Sequence, residues 1–325
     1  MVQVIAHKGV VSEAPENSLE AFRAVIDLGI DGFETDVHMT KDGVPVLNHG
    51  YTLDSSSDGS GCISDLTFDE ISEMELRSVG HHAERAVDIA SLDDCLENIK
   101  GCTVDLDLKT PLKTGTPYID EVCNVISDSG REDVLITSFD HSMLGRIRDL
   151  LPDNPIGAIM LPTFDEIDDI LDILKGCYPE DVPLDRLSPD DISPLEDISF
   201  VDEFLGVKGM KPLDLFLNAG SMLGTIYPGK TFHEVSSAIA AQTDVASYIR
   251  DLGSDPDYVV CHYLSCFLDD DLIHEIHSMG KNVIVWTVDR FDIADKLAAK
   301  GADGIITNDP IGLKNHLAQS LPISH

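Results

Sequence analysis

Six side chains that could form a catalytic or metal site stand at or near the ends of apolar, strand-like segments: His7, Glu34, Asp36, His49, Asp107 and Lys109. Because successive side chains of a strand point to opposite faces, Glu34 and Asp36 share one face, as do Asp107 and Lys109. Carboxylates that converge in a buried site repel one another, and burying them unpaired is costly. A divalent cation would relieve this repulsion, and a ligand set made only of oxygen favours Mg²⁺, Ca²⁺ or Mn²⁺ over zinc. The set therefore predicts a metal site, although a single Glu-x-Asp pair would more often be a solvated strand end.

The segments that carry these residues alternate with helical patterns, which is typical of a parallel α/β fold. Eight strands are predicted, at residues 2–6, 32–37, 103–108, 134–139, 156–160, 258–261, 282–288 and 304–307. The first helix is predicted over residues 17–28, where Asn17 followed by Glu20 resembles a capping box. Eight strands with intervening helices favour a closed TIM (β/α)₈ barrel, in which the C-terminal strand ends form the active-site rim.

Two long segments interrupt this alternation. Residues 49–100, after the second predicted strand, contain a Ser/Gly-rich loop at 55–61 and then a helical pattern. Residues 162–253, after the fifth predicted strand, form a larger insertion that is acidic and interrupted by prolines. Segments of this length in a barrel are usually lids or accessory modules. We therefore expect a single barrel domain over residues 1–325, with 162–253 as an atypical insertion region within it.

The charge of the chain is strongly negative. Its 59 acidic residues against 22 lysines and arginines give a formal net charge of −37. Such a surface repels nucleic acids and anionic lipid head groups, so we expect a small-molecule substrate and neither a nucleic-acid partner nor stable membrane anchoring. The acidic residues are spread along the chain, as in the proteins of salt-accumulating halophiles. An acidic protein of an ordinary cytoplasm is the alternative.

The sequence also bears on the compartment. Its seven cysteines form neither a CxxC pair nor a metal-ligand cluster, and their odd number favours reduced thiols in a cytosolic protein. The first residues do not resemble a signal peptide, and no apolar stretch reaches the roughly 18 residues of a membrane span. We therefore expect a cytoplasmic location, while the oligomeric state stays open.

Ordered sequence blocks resemble the glycerophosphodiester phosphodiesterase family. The run IAHKG at residues 5–9 and then PENSLEAF at 15–22 is similar to the family's His-Arg-Gly and Pro-Glu-Asn-Thr motifs and its Ala-Phe helix. Further blocks that resemble the family are GFETDV (32–37), TKDGVPV (40–46), DLDLK (105–109), TSFD (137–140), VWTV (285–288) and GIITNDP (304–310). The resemblance runs from residue 2 to about residue 310 and leaves chiefly 162–253 uncovered. Many blocks in the same order are far more specific than a single motif.

The resemblance implies a TIM barrel, one divalent metal ion and a phosphodiester substrate, with Mg²⁺ or Ca²⁺ as the ion and Mn²⁺ also open. It implies eight site residues: the metal ligands Glu34, Asp36 and Asp107, the acid–base pair His7 and His49, the phosphate-binding Lys8 and Lys109, and Trp286 as a wall of the substrate site. Trp286 could equally fill the barrel core. The attacking oxygen could belong to water or to a substrate hydroxyl that forms a cyclic phosphate, and either histidine could be the acid.

The chain departs from the family pattern at several positions. Lys8 stands where the family has arginine, and a lysine lacks the planar fork that grips two phosphate oxygens. Asp107 stands where the family has glutamate, so the metal must shift or be reached through water. Gly50 and the serines at 55–57 replace an aspartate and an Arg-Thr-Thr run. We still expect activity, because the metal ligands and both histidines remain, but on a substrate that need not be a glycerophosphodiester.

The function predicted first is a metal-dependent hydrolase that releases glycerol 3-phosphate and an alcohol. Two alternatives stay open: a lyase-type phospholipid-cleaving enzyme related to sphingomyelinase D, and a non-catalytic barrel that binds a phospholigand. Asp105 is expected either to support the metal ligands from deeper in the strand or to be structural. His38, Ser138 and Asn308 are weaker candidates for the site. Other histidines have no partner at a recognisable spacing and are expected at the surface or in loops: His81, His82, His141 and His262.

Overall fold

The computed structural model of the protein describes residues 2–77, 87–113, 117–163, 167–193 and 220–320. Tertiary contacts divide the chain into two compact units. The first comprises Met1–Pro162 and Val245–His325, and the second comprises Thr163–Asp244. The second unit falls within the segment 162–253, while the prediction that residues 1–325 form one domain stays a prediction. His81 and His82 lie outside the described residues.

Eight parallel strands of the first unit close into a barrel, as the sequence predicts. Together with the short β3, the strands are β1 (Gln3–His7), β2 (Gly32–Met39), β3 (Pro45–Leu47), β4 (Thr103–Leu108), β5 (Val134–Ser138), β6 (Ile156–Ile159), β7 (Tyr258–His262), β8 (Asn282–Trp286) and β9 (Gly304–Thr307). The parallel strands follow the order β1-β9-β8-β7-β6-β5-β4-β2, and β1 also pairs with β2, which closes the sheet. β3 lies antiparallel beside the C-terminal end of β2. The predicted TIM barrel is therefore confirmed.

Helices connect successive strands of the barrel. In the first unit the described helices are Leu19–Asp27, Phe68–Ser72, Leu92–Asn98, Tyr118–Ser129, Leu144–Leu150, Val245–Asp251, Tyr263–Leu268, Leu272–Ser278, Phe291–Lys300 and Pro310–Ser320. Their apolar faces and the outward faces of the strands form one large core that includes Phe22, Phe33, Leu106 and Val285. Burial of each such side chain contributes about 1.5–3 kcal/mol, so this core is the main source of the barrel's stability.

Alternation along the strands explains why polar side chains gather at one end of the barrel interior. A separate apolar cluster, inside the barrel, consists of Ile5, Leu135, Ile159, Val260, Ile284 and Ile306. Side chains two positions further along a strand share the same face. Those positions include His7, Thr137, His262 and Trp286. The polar rim therefore stands directly above an apolar interior layer.

The first helix begins later than expected. Ser18 is its N-cap, because the Ser18 hydroxyl accepts a hydrogen bond from the backbone N–H of Ala21 at 3.1 Å. The predicted capping box of Asn17 and Glu20 is therefore wrong. Asn17 instead has a φ of 57°, a left-handed conformation that asparagine tolerates better than most residues. The same loop requires Gly9, whose φ is 84° and where a Cβ would lie 2.8 Å from the Cβ of Ala21.

The second unit contains the helices Ile167–Lys175 and Phe232–Ala240, which pack against each other. Tyr178 stacks on Phe232 with their ring centroids 4.2 Å apart. A capping box formed by Thr231 and Glu234 begins the second of these helices. These contacts give the unit an apolar core of its own.

Two further features concern the helices and the cysteines. Among the described residues, no helix has the length and hydropathy that a membrane crossing requires. All seven cysteines lie in the described ranges, where they form no disulfide, and six of them are buried. Burial raises the pKa of Cys95 to about 12 and that of Cys123 to about 11. These two thiols therefore stay protonated and unreactive at neutral pH.

Candidate active site

The predicted site residues meet at the C-terminal rim of the barrel. His7 on β1 pairs in register with Glu34 on β2, and Asp36 on β2 pairs with Asp107 on β4. Lys109 directly follows β4. Strand register alone therefore brings together residues that are up to about 100 positions apart in the sequence, at the rim where barrel enzymes carry their chemistry.

Glu34, Asp36 and Asp107 form a buried acidic cluster. One carboxylate oxygen from each residue lies within 4.8 Å of the others. Only 6% of Glu34, 1% of Asp36 and 4% of Asp107 is exposed. The Oδ1 atom of Asp107 is buried without a hydrogen-bond partner. Three buried carboxylates with one unsatisfied oxygen fit a hard divalent cation, because such ions take oxygen ligands and offset the charge.

Lys109 contacts two members of the acidic cluster. Its Nζ atom lies 2.6 Å from Oδ1 of Asp36 and also forms an ion pair with Oδ2 of Asp107. Burial opposes its charge, but Asp107 and Asp36 together hold the pKa of Lys109 well above its usual value. One ammonium cannot neutralise three carboxylates, so the cluster keeps an excess of negative charge. The predicted role of Lys109 in phosphate binding stays a prediction.

The three carboxyl groups of the acidic cluster differ in their pKa values. Burial, and then repulsion from Asp36, raises the pKa of Glu34 well above its usual range. Burial raises the pKa of Asp107 to about 6, partly offset by Lys109. Burial also opposes ionisation of Asp36, but the Lys109 ammonium holds its pKa well below the usual value. Raised pKa values of two buried carboxyl groups mean that cation binding would compete with protons at Glu34 and Asp107 and would strengthen as the pH rises.

Asn17 orients Asp36, a role that the sequence reasoning missed. Its side-chain amide donates to Oδ2 of Asp36 at 3.2 Å, and its side-chain carbonyl accepts from the Thr35 hydroxyl at 2.7 Å. Asn17 itself is 1% exposed. Asn17 lies inside the PENS block, which resembles a family motif, but its local pattern predicts a cap of the first helix instead of a contact with Asp36.

His7 lies at the end of β1 beside the acidic cluster. Its Nε2 atom is 3.8 Å from Oε2 of Glu34, and its Nδ1 atom is 2.7 Å from Oδ1 of Asn308. Burial, with a smaller contribution from the Lys8 ammonium, lowers the pKa of His7 to about 4. The imidazole is therefore neutral at pH 7 and can accept a proton.

His49 follows β3 and is held near the acidic cluster by its backbone. The Nε2–H of His38 donates to the carbonyl oxygen of His49 at 3.3 Å. Burial lowers the pKa of the His49 imidazole to about 4, although the charge of Asp36 opposes this shift. At the next residue, Gly50, a Cβ would meet nothing closer than the Thr52 carbonyl oxygen at 3.4 Å. Nothing in the structure explains why this position lacks a side chain.

Lys8 enters the site through its backbone as well as its side chain. Its backbone N–H donates to the carbonyl oxygen of Glu34 at 2.9 Å and lies 3.3 Å from Oε2 of the same residue. Its φ of 60° turns the chain from β1 into the following loop. The Lys8 ammonium lies 3.4 Å from Oε2 of Glu16. The predicted role of Lys8 in phosphate binding stays a prediction.

Trp286, at the end of β8, is the residue predicted to be an aromatic wall of the substrate site, and this role stays a prediction. Its Nε1–H donates to the carbonyl oxygen of Val260 at 3.1 Å. Its ring meets Phe139 and His262 edge to face, with centroid distances of 5.3 and 5.0 Å. Trp286 is half-buried, so one part of the ring rests on the interior apolar cluster while another part remains accessible.

Two histidines expected at the surface or in loops are wrongly predicted. His141 is buried, with its Nε2–H donating to the carbonyl oxygen of Ile159 at 2.9 Å and its Nδ1 accepting from the Tyr248 hydroxyl at 2.8 Å. His262 ends β7, and burial lowers its pKa to about 3. Asp105 lies deeper than the acidic cluster and accepts a hydrogen bond from the Thr137 hydroxyl at 2.7 Å.

A mostly apolar cavity opens beside Lys109. Its walls include Met39, Tyr51, Ile63, Leu112 and Tyr118. The Tyr51 hydroxyl donates to the carbonyl oxygen of Thr110 at 2.9 Å. The cavity therefore adjoins the predicted phosphate-binding lysine, and its mostly carbon surface also includes the side chains of Lys41 and Lys113.

The chain is similar in sequence to known phosphodiesterases. The model of the Glycerophosphoryl diester phosphodiesterase family matches residues 7–163. The glycerophosphodiester phosphodiesterase of Caldanaerobacter subterraneus is 31% identical over 159 residues, which cover 48% of this chain and 65% of that protein. The Bacillus subtilis protein YhdW, named for the same activity, is 30% identical over 164 residues, covering 50% of this chain and 67% of that protein. The match to rat glycerophosphodiester phosphodiesterase 1 covers only 22% of that protein. The chain thus spans less than two thirds of the length of both the Caldanaerobacter subterraneus and the rat proteins.

The barrel is also similar to solved structures over nearly its whole length. A phosphodiesterase of Oleispira antarctica, determined in complex with the product sn-glycerol-3-phosphate, has a TM-score of 0.65 and 20% identity, covering 97% of this chain and 96% of that chain. A glycerophosphodiester phosphodiesterase of Agrobacterium tumefaciens has a TM-score of 0.59 and 18% identity, covering 97% and 100%. At this level of identity the likeness shows the fold alone.

Proposed function

This chain belongs to the glycerophosphoryl diester phosphodiesterase family, and we propose that it is a metal-dependent hydrolase that converts glycerophosphodiesters into glycerol 3-phosphate and an alcohol. The observation that carries the proposal is the acidic cluster. Three buried carboxylates within 4.8 Å of one another, one of them with an unsatisfied oxygen, are poorly explained by folding alone. Their position at the C-terminal rim, beside two neutral histidines, is that of an active site.

Glu34, Asp36 and Asp107 would hold one divalent ion, with Mg²⁺ or Ca²⁺ first and Mn²⁺ also suited to oxygen ligands. When bound, the ion polarises a phosphoryl oxygen and neutralises the charge that develops at phosphorus. Lys8 and Lys109 would bind the remaining phosphate oxygens. Lys109 can take this role because a cation in the acidic cluster would replace it in neutralising Asp36 and Asp107.

His7 and His49 would transfer the protons. One imidazole removes the proton from the attacking oxygen as the new bond to phosphorus forms. The other donates a proton to the alkoxide that leaves as the second phosphorus–oxygen bond breaks. Each transfer is typically worth about 10²–10⁴-fold in rate. The pKa of about 4 for both imidazoles leaves the base in its working form at neutral pH, and the negative phosphodiester would favour protonation of the acid.

The substrate would bind between the aromatic wall and the cavity beside Lys109. The glycerol phosphate bound in the Oleispira antarctica enzyme supports glycerol 3-phosphate as the shared product. Trp286 would wall the site, and the alcohol part would meet the carbon surface of Met39, Tyr51 and Leu112. This lining suits an alcohol with apolar parts, and Lys41 and Lys113 in the same lining would also accept an anionic group.

We further propose that the protein works in a salt-rich cytoplasm, without a nucleic-acid partner or stable membrane anchoring. The net charge of −37 supports this proposal, as do the seven cysteines, which form no disulfide in the described part of the chain. A salt-rich cytoplasm would screen the negative surface, which otherwise repels an anionic diester.

The proposed reaction is tested by the identity of its product. Glycerophosphocholine incubated with the protein and Mg²⁺ in high potassium chloride should give a ³¹P NMR signal of glycerol 3-phosphate. A cyclic phosphate that accumulates without being hydrolysed would instead support the lyase. A folded protein that binds Mg²⁺ yet converts none of several diesters would refute the hydrolase and leave the phospholigand-binding barrel.

A further inference from the structure

Asp289, Asn308 and His7 form a continuous hydrogen-bonded chain at the rim of the barrel. Asn308 directly follows β9, and Asp289 lies in the short segment between β8 and the helix Phe291–Lys300. Oδ2 of Asp289 accepts from the side-chain amide of Asn308 at 2.8 Å. Oδ1 of Asp289 accepts from the Asn308 backbone N–H at 2.9 Å and from the Thr307 hydroxyl at 3.2 Å. The side-chain carbonyl of Asn308 then meets Nδ1 of His7 at 2.7 Å.

The chemistry of these groups allows only one arrangement of hydrogens. A carboxylate can only accept, so the NH₂ group of Asn308 must face Asp289. The carbonyl oxygen of Asn308 therefore faces His7, and because it too can only accept, Nδ1 of His7 must carry a hydrogen. In the neutral imidazole the lone pair then lies on Nε2. Nε2 is the ring nitrogen that faces the acidic cluster, 3.8 Å from Oε2 of Glu34.

We propose that Asp289 and Asn308 are positioning residues that fix the tautomer of His7, so that Nε2 is the atom that exchanges a proton with the substrate. The inference rests on the proposed function, since it assigns the working atom of a proposed catalytic residue. Asp289 and Asn308 act through His7 and contact none of the reacting atoms. Without them, the proton of a neutral His7 could sit on either nitrogen, and the tautomer with Nε2–H could not accept a proton from the attacking oxygen.

Exchanging the side chains at positions 289 and 308 distinguishes a role in fixing the His7 tautomer from a general structural role of these two residues. In D289N, the new NH₂ group must face a donor whichever way it is turned: the Asn308 amide on one side, or the backbone N–H and Thr307 on the other. The conflict is relieved when the Asn308 amide turns over, which directs an NH₂ group at His7. In the double variant D289N/N308D, every group is satisfied again. The new amide donates to the carboxylate at position 308, whose second oxygen accepts from Nδ1 of His7.

The tautomer is measured directly by long-range ¹H–¹⁵N correlation NMR of the histidine rings in the full-length protein at neutral pH. His7 is one of 12 histidines, so its signals are assigned by their loss in His7→Gln. We expect Nδ1–H in the wild type, a shift of population towards Nε2–H in D289N and Asn308→Ala, and recovery of Nδ1–H in D289N/N308D. Asp292→Asn and Asn98→Ala, at exposed side chains, are the matched controls and should leave the His7 signals unchanged.

Kinetics on glycerophosphocholine provide a second readout. We expect kcat to fall about tenfold in D289N and Asn308→Ala with little change in KM, and to recover in D289N/N308D. Nε2–H in the wild type would overturn the inference, as would an unchanged tautomer in Asn308→Ala. A folded double variant no better than D289N would also overturn it. If no diester is turned over but the tautomers behave as expected, the proposed function fails and the structural inference stands.

Discussion

The ammonium of Lys109 lies 2.6 Å from Oδ1 of Asp36, at the centre of a cluster of buried carboxylates. In this arrangement the protein supplies its own cation to a site whose shape and donors suit a metal ion. Under the proposed function, the same lysine would stabilise the fold when no metal is bound and would bind the substrate when one is.

Lys109→Met should destabilise the metal-free protein strongly. It removes the ammonium from Asp36 and Asp107, and breaking a buried ion pair on one side typically costs about 3–5 kcal/mol. Saturating Mg²⁺ should recover part of this loss, because the ion neutralises the same carboxylates. The free energy of unfolding in urea, measured in EDTA and in Mg²⁺, checks this. Lys230→Met breaks an exposed ion pair with Glu234 and should cost only about 0.3–0.5 kcal/mol in both conditions. An equal loss for Lys109→Met with and without Mg²⁺ would contradict the account.

Asn17→Gly should weaken Mg²⁺ binding while preserving the backbone. Glycine accepts the φ of 57° at this position, but it removes the amide that donates to Asp36. Loss of a residue that orients a metal ligand typically costs about 10–100-fold in affinity. Calorimetric titration with Mg²⁺ measures the change. Asp255→Gly is a suitable control, because Asp255 also has a positive φ, of 48°, but precedes β7 at the opposite end of the barrel. Equal affinities for the wild type and Asn17→Gly would show that Asn17 does not orient the ligand.

His262→Asn should reduce the acid sensitivity of the fold. The pKa of His262 is about 3 in the folded protein and near 6.5 in an unfolded chain. The unfolded state therefore binds the proton first, so His262 stabilises the fold above pH 6.5 and this contribution is lost as the pH falls towards 3. Asparagine can still accept the backbone N–H of Leu264, as Nδ1 of His262 does. The free energy of unfolding in urea should fall less between pH 7 and pH 4 in the variant than in the wild type. In the control His274→Asn, at an exposed position, the free energy of unfolding should fall with pH as it does in the wild type. Parallel curves of this free energy against pH for all three proteins would contradict the burial of a neutral His262.

Potassium chloride should continue to stabilise the protein at concentrations well above physiological ionic strength. A net charge of −37 makes the folded chain repel itself, and the screening length falls from about 8 Å at 0.15 M to about 3 Å at 1 M salt. We expect the free energy of unfolding to rise steadily between 0.15 and 2 M potassium chloride. Sucrose at matched osmolality is the control, since it leaves the charges unscreened. A stability that rises equally in sucrose, or not at all in salt, would argue against adaptation to a salt-rich cytoplasm.

The barrel could be predicted because its eight strands are short apolar segments separated by amphipathic helices. The positions of Glu34, Asp36 and Asp107 followed from alternation along strands that must end at the same rim. The contact of Lys109 with Asp107 follows from the same spacing. Its contact with Asp36 depends on the pairing of β2 with β4, which no local pattern contains.

The residues that were missed depend on long-range packing. Asn17 was assigned to a helix cap because Ser, Asn and Glu near a helix start carry the same local signal in either arrangement. His141 bonds to Ile159 and Tyr248, which lie 18 and 107 positions away, so its burial leaves no periodic trace in the sequence. The hydrogen bonds that link Asp289, Asn308 and His7 likewise join the ends of β1 and β9. These strand ends meet only when the barrel closes.

The most direct test of the account is the rate of glycerophosphocholine hydrolysis in high potassium chloride by EDTA-treated protein, before and after addition of Mg²⁺, for the wild type, His49→Gln and His274→Gln. We expect turnover only with the divalent ion, a loss of at least about 100-fold in His49→Gln, and wild-type rates in His274→Gln, whose substituted side chain is exposed. Hydrolysis that persists in EDTA, or that survives His49→Gln, would contradict the assignment of the acidic cluster and the two histidines as the catalytic site.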